Sequence, residues 1–129
     1  MSVHRVRGVV AFHETDASGL YHYTNALKWA ENAEHVLYRS VGLPVASFPR
    51  RTVRASFERP LADGAEYVVE LRVEALGNTS ITYGWRILEA EHVAVSGAHT
   101  VVHLDDSGKP GRVPDVLRAV LRDLMDDPA

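Results

Sequence analysis

Between Phe12 and Asn25 the chain gathers two carboxylates (Glu14, Asp16), two imidazoles (His13, His22), Gly19 and the start of a helix into one short stretch. A helix start presents backbone N–H groups without intrahelical partners and a partial positive charge. Such groups suit a carbonyl oxygen that becomes negative during attack. A carboxylate beside them can act as a nucleophile or as a base for water. The stretch therefore holds both halves of an acyl-transfer site. It equally holds the parts of a capped helix preceded by a solvated acidic turn, and residue chemistry alone leaves the two readings open.

Other chemistry-bearing residues have plainer expectations. Glu14, two positions before Asp16, shares a face with it on an extended segment and could raise its pKa, but reads first as a surface acid. Asn25 suits helix-start capping, with loop fixing or substrate contact as alternatives. Of the seven histidines, His99 and His103 fall on one strand face, yet no His-Glu-x-x-His or comparable spacing occurs, so neither metal nor cofactor is expected. Arg50, Arg51, Arg54 and Arg59 form a basic group whose guanidinium forks suit phosphates, though arginines on a strand edge commonly serve solubility. Trp29 and Trp85 read as core. No Gly-x-Ser-x-Gly, Gly-x-Gly-x-x-Gly or P-loop pattern is present, which leaves serine-hydrolase, dinucleotide and ATP readings without support.

These residues must be positioned by the elements around them. A strand is expected from Val3 to Phe12, with Val6, Val10 and Phe12 on one face. After the loop, Ala26, Trp29, Ala30, Ala33, Val36, Leu37 and Val41 recur at helical spacing, with Thr24 as N-cap and Gly42 as stop. Four alternating runs follow: Thr52 to Arg59, Val68 to Ala75, Ile81 to Ile87, and His92 to Leu104. Pro114 to Met125 reads as a short amphipathic helix, and the tail beyond it should fray. Strands joined by short turns favour an antiparallel sheet whose apolar face needs a cover. The helix stripe supplies one, giving an α+β domain with a helix packed on a curled sheet.

Composition narrows the function further. A chain of 129 residues is expected to form one domain, and 46% apolar with 24% charged residues is ordinary globular usage. A formal charge of −3 argues against general binding to nucleic acid or anionic membrane. The absence of cysteine excludes disulfides, thiolate metal sites and a cysteine nucleophile. Neither a signal-peptide pattern at Met1–Arg5 nor a membrane-spanning apolar run is evident, so a cytoplasmic location is expected.

The string Glu14-Thr15-Asp16-Ala17-Ser18-Gly19-Leu20, followed by an aromatic helix start and Asn25, resembles the Asp-x-x-Gly signature of the 4-hydroxybenzoyl-CoA thioesterase-like hotdog family. The likeness continues through Arg54 to Leu61, the Gly64 turn, Leu76 to Ile81, and Gly108-Lys109-Pro110 with Pro114. What the resemblance implies is a hotdog fold, a sheet wrapped round a central helix, in a homodimer or homotetramer with sites at the dimer interface. It implies hydrolysis of an acyl-CoA or acyl carrier protein thioester, with Asp16 as the catalytic aspartate. It places at Tyr23 the backbone N–H that polarises the thioester carbonyl. Gly19, Asn25, Arg59, Thr79 and Ser80 are the implied substrate-side residues, the last two reaching the site from the other protomer. Two departures stand out: relatives that carry a Tyr-His pair have the histidine where Tyr23 stands and the tyrosine where His22 stands, and Ala26 replaces an aromatic residue. The first leaves open whether His22 is a catalytic residue that assists water or orients substrate, or a partly exposed loop histidine; the second implies a roomier acyl pocket. A thioester dehydratase and a non-catalytic acyl-CoA-binding module are the alternatives on the same fold.

Overall fold

The five alternating runs form one antiparallel sheet in a computed structural model that describes residues 2–125; the tail at 126–129, expected to fray, lies outside the described residues. The elements are β1 (His4–Val9), α1 (Thr24–Ser40), β2 (Arg50–Phe57), β3 (Glu66–Leu76), β4 (Ser80–Glu89), β5 (His92–Val102) and α2 (Asp115–Asp123). The strand order is β1-β3-β4-β5-β2. Strand β2 therefore pairs with β5, Ala55 facing Gly97 and Phe57 facing Val95, and sits at the opposite edge from β1. The intervening α1 carries the chain across the sheet face before β2 begins, and its 17 residues span about 25 Å.

The core lies between α1 and that face. Ala26, Ala30 and Ala33 bring the helix backbone close, while Trp29, Leu37 and Tyr38 fill the space beside them. Across from them stand Val69, Leu71 and Val73 of β3 and Ile81, Tyr83, Trp85 and Ile87 of β4, every second residue, as a half-covered sheet requires. Both tryptophans are core residues, as expected. Helix α2 seals one end of the sheet with Leu117 and Leu121.

Within this core lies a closed polar cluster. The fully buried Glu34 accepts from His99 Nε2 at 2.8 Å and Arg50 at 2.9 Å through one oxygen, and from the Tyr38 hydroxyl through the other. Tyr83 donates to the Tyr38 oxygen at 3.1 Å, and the Trp85 indole donates to His99 Nδ1 at 3.1 Å. The Trp85 bond makes Nδ1 an acceptor and puts the ring proton on Nε2, facing Glu34. The cluster ties α1 to β2, β4 and β5 at once.

Two local expectations are corrected. The first strand ends at Val9, because Val10 and Gly64–Ala65 exchange backbone bonds and the chain then turns into a 3₁₀ segment, Phe12–Glu14. Phe12, expected inward, is instead 79% exposed. Thr24 is the first helical residue and Tyr23 holds the N-cap position.

Candidate active site

Residues 14–22 form a small hairpin standing at the start of α1. Its neck is closed by the His22 N–H donating to the Glu14 carbonyl at 2.8 Å and by a Thr15–Tyr21 bridge. Near the tip, the Asp16 N–H donates to the Leu20 carbonyl and the Gly19 N–H to the Asp16 carbonyl, each at 3.0 Å. The turn Asp16-Ala17-Ser18-Gly19 needs a residue at φ +80° in its last position, which glycine supplies without strain. The hairpin rests on the segment before β3 through Tyr21 N–H to Leu61 carbonyl at 2.8 Å.

The turn fixes the state of Asp16. Its Oδ1 accepts from both the Ser18 hydroxyl and the Ser18 N–H. The Ser18 hydroxyl chiefly, and the N–H after it, hold the Asp16 carboxyl below the usual carboxylate range, with a smaller contribution from His22. The group is thus ionised at neutral pH, and Oδ2 has no partner among the described residues. Glu14 does not raise the Asp16 pKa, as a shared face would have it do. Glu14 is half-buried rather than a surface acid, with Oε1 accepting from the Ala11 N–H and Oε2 from the Trp29 indole, both at 2.8 Å.

The same turn recurs at Asp105-Asp106-Ser107-Gly108. There Asp105 Oδ1 accepts from the Ser107 hydroxyl and N–H, and Gly108 takes φ +79°. The Ser107 hydroxyl again leads in lowering the carboxyl pKa. Asp105 differs in a third bond to Oδ1, from the Lys109 N–H at 3.1 Å, and Asp16 differs in the helix start that follows its hairpin.

At that helix start the Tyr23 N–H has no acceptor among the described residues. The next donor, Thr24 N–H, reaches His22 Nδ1 at 3.4 Å, and the Thr24 hydroxyl lies 2.7 Å from the same nitrogen. His22 is thus the capping group expected of Thr24. Asn25 is buried, its amide donating to the carbonyls of Glu14 at 3.0 Å and His22 at 3.2 Å. It holds the hairpin to the helix. Beside Tyr23 a cleft of about 240 Å³ is lined by Tyr21, Tyr23, Phe57, Glu58, Arg59 and Pro60. Phe57 meets the Tyr23 ring edge-on at 5.6 Å.

Asp16, Gly19, His22, Tyr23, Asn25 and Arg59 accordingly gather at one end of the sheet. Thr79 and Ser80 do not join them: they follow β3 at the opposite end, and its 11 residues separate the two ends by about 33 Å. Arg50 and Arg54 are also diverted, Arg50 to Glu34 and Arg54 to Glu74 on the outer sheet face. His99 is locked in the buried cluster and His103 turns to the Gly111 carbonyl, so the two are not a pair. Sequence reasoning did not assign Ser18 or Phe57. The Asp-x-Ser pattern signals an Asx turn and could have found the first; Phe57 enters the site only because β2 crosses to the far edge.

Residues 18–96 match the family described as the thioesterase superfamily. The chain belongs to that superfamily. Among its relatives, a 1,4-dihydroxy-2-naphthoyl-CoA hydrolase of Prochlorococcus marinus (strain MIT 9303) is 28% identical over 120 residues, covering 81% of this chain and 78% of the relative. A solved structure of a predicted thioesterase from Bacillus stearothermophilus superposes with a TM-score of 0.88 at 22% identity, covering 99% of this chain and all of that one. The 1,4-dihydroxy-2-naphthoyl-CoA thioesterase of Synechocystis gives 0.84 at 18% identity, covering 95% and 98%. The fold is the α+β hotdog arrangement expected from the resemblance, and the superfamily's general chemistry is thioester hydrolysis. Asp16 lies two residues before the matched segment. Among the described residues no helix is long and apolar enough to cross a membrane.

Proposed function

We propose that this chain hydrolyses acyl-CoA thioesters with Asp16 as the reacting carboxylate and the Tyr23 N–H as the oxyanion donor. One observation carries the reading: an ionised carboxylate with one unengaged oxygen and an unengaged helix-start N–H hang from the same hairpin. The thioester oxygen sits against the Tyr23 N–H, where the helix dipole favours the charge it gains. Asp16 Oδ2 either attacks the carbonyl carbon or takes a proton from an attacking water. In the first route the C–S bond breaks, the thiolate leaves and is protonated, and water opens the resulting anhydride. In the second, water adds directly. Either way the products are acid and thiol, and Asp16 is restored.

The acyl group lies along the cleft of Tyr21, Tyr23 and Phe57, whose flat rings suit a planar acyl group. Arg59, of the basic group, stands at its rim, where it can meet a coenzyme A phosphate. Thr79 and Ser80 can reach Asp16 only from a second copy of the chain, which makes a homodimer the smallest complete unit. An acyl carrier protein presents the same phosphopantetheine thioester and remains a donor of the same class. Coenzyme A as the thiol product goes with a cytoplasmic location.

The test is thiol release from a panel of aryl- and alkyl-CoA thioesters by wild type and Asp16→Asn. The variant should fold normally and lose roughly 10²–10⁴ in kcat, the scale of a lost general base. A folded Asp16→Asn that turns over near the wild-type rate would remove Asp16 from the mechanism.

A further inference from the structure

We infer that Glu14, working through Trp29, is the positioning residue that sets Asp16 and the Tyr23 N–H relative to each other. The inference rests on the reading of Asp16 given above and deepens it.

Glu14 engages four donors, and they come from both sides of the hairpin. Its carboxylate takes the Ala11 N–H, from the segment that enters the hairpin, and the Trp29 indole N–H, from the second turn of α1. Its backbone carbonyl takes the His22 N–H and the Asn25 side-chain amide, from the segment that leaves it. Asp16 follows Glu14 by two residues, and Tyr23 follows His22 directly. A rotation of the neck at Glu14 would therefore swing the Asp16 carboxylate against the helix start.

Trp29 gives the carboxylate a fixed point. The indole is 5% exposed and lies between two tyrosine rings, stacked on Tyr21 at 5.2 Å and on Tyr67 at 4.4 Å. Burial, with the Glu14 charge adding to it, pushes the Tyr67 hydroxyl up to about 12, so that ring stays neutral beside the carboxylate. The ring of Tyr67 lies over Gly8, where any Cβ would clash with it. The indole N–H is thus held on three sides and presents one direction to Glu14. A carboxylate suits this position because both neighbours are donors; an amide can accept from only one and must turn its own N–H₂ on the other. Tyr21 is the one ring of the cluster that also lines the cleft; Glu14 and Trp29 are not among its lining residues, so Glu14 acts on the site through the hairpin rather than by touching the substrate.

The effect expected is on the transition state rather than on substrate affinity, since small displacements of reacting groups weigh on rate. Glu14→Gln and Trp29→Phe should each lower kcat by about 10- to 100-fold with KM within about twofold. The double variant should be little worse than the lower single, because both break one link. The acid limb of the pH–rate profile should stay in place, because Ser18 and not Glu14 sets it. Rates are taken at a temperature where circular dichroism shows each variant folded. If Glu14→Gln does not fold, Trp29→Phe carries the test, since it removes only the N–H and keeps the stack. Folded variants with wild-type kcat, in an assay where Asp16→Asn is inactive, overturn the role of Glu14 and leave that of Asp16 intact. A fully active Asp16→Asn, or a wild type that cleaves no thioester, overturns both.

Discussion

Replacing Glu34 by Gln tests whether the buried cluster holds the helix to the sheet. The side chain is 0% exposed, and its carboxylate is the counter-charge of Arg50, whose own side chain is 22% exposed. Breaking a buried pair by neutralising one partner costs about 3–5 kcal/mol. Gln keeps one acceptor oxygen, and Glu31 stays 3.6 Å from Arg50, which places the loss at the lower end, about 3 kcal/mol. With 129 residues and about 2.1 cal/mol/K per residue, the unfolding entropy is about 0.27 kcal/mol/K, so Tm should fall by roughly 11 °C. The pH dependence has a definite sign. Burial pushes the Glu34 carboxyl up, but the His99 bond, the Arg50 charge and the Tyr38 bond outweigh it and leave the pKa below its ordinary 4.5. Its stabilisation is complete above that unfolded value and is lost as pH falls through the folded one. The gap between wild type and variant should thus be full at pH 7 and close in acid. Thermal melts followed by circular dichroism at fixed protein concentration read both features. A gap under about 3 °C at pH 7, or one that widens on acidification, would refute the account of the cluster.

Ser18→Ala should move the acid limb of the pH–rate profile upward, toward the ordinary carboxylate range, because the hydroxyl that lowers the Asp16 pKa is gone; an unmoved limb would assign that limb to another group. Ala90 stands at φ 54° in the β4–β5 turn, a left-handed conformation that a Cβ disfavours. Ala90→Gly should therefore stabilise the protein by about 0.5–1 kcal/mol in urea unfolding, with activity unchanged.

Much of the fold was legible because alternation and helical spacing survive burial on one face. The runs at Val68 to Ala75 and Ile81 to Ile87 became β3 and β4, each with alternate residues buried. The place of β2 was not legible, since Val53, Ala55 and Phe57 alternate as they would beside any strand. Phe12 was misplaced because nothing in local propensity announces the bonds between Val10 and the β2–β3 connection. At the site, the hairpin's turn chemistry could be read from Asp16 to Gly19. The roles of Glu14 and His22 could not: each depends on a partner, the Trp29 indole or the N–H groups of a helix start, whose direction only the packed fold defines.

The repeated turn gives the molecule its own reference electrode. Asp16 and Asp105 carry the same serine ligation, the same glycine geometry and a histidine nearby; Asp105 adds the Lys109 N–H, and Asp16 adds the helix start. Followed side by side in a single NMR titration, the two carboxyls share every solvent and ionic-strength effect. Subtracting one curve from the other removes the turn they have in common and leaves what differs in their surroundings. The ionised state of Asp16 is then chiefly the work of its own turn, and what is particular to its surroundings is the helix start that follows the hairpin.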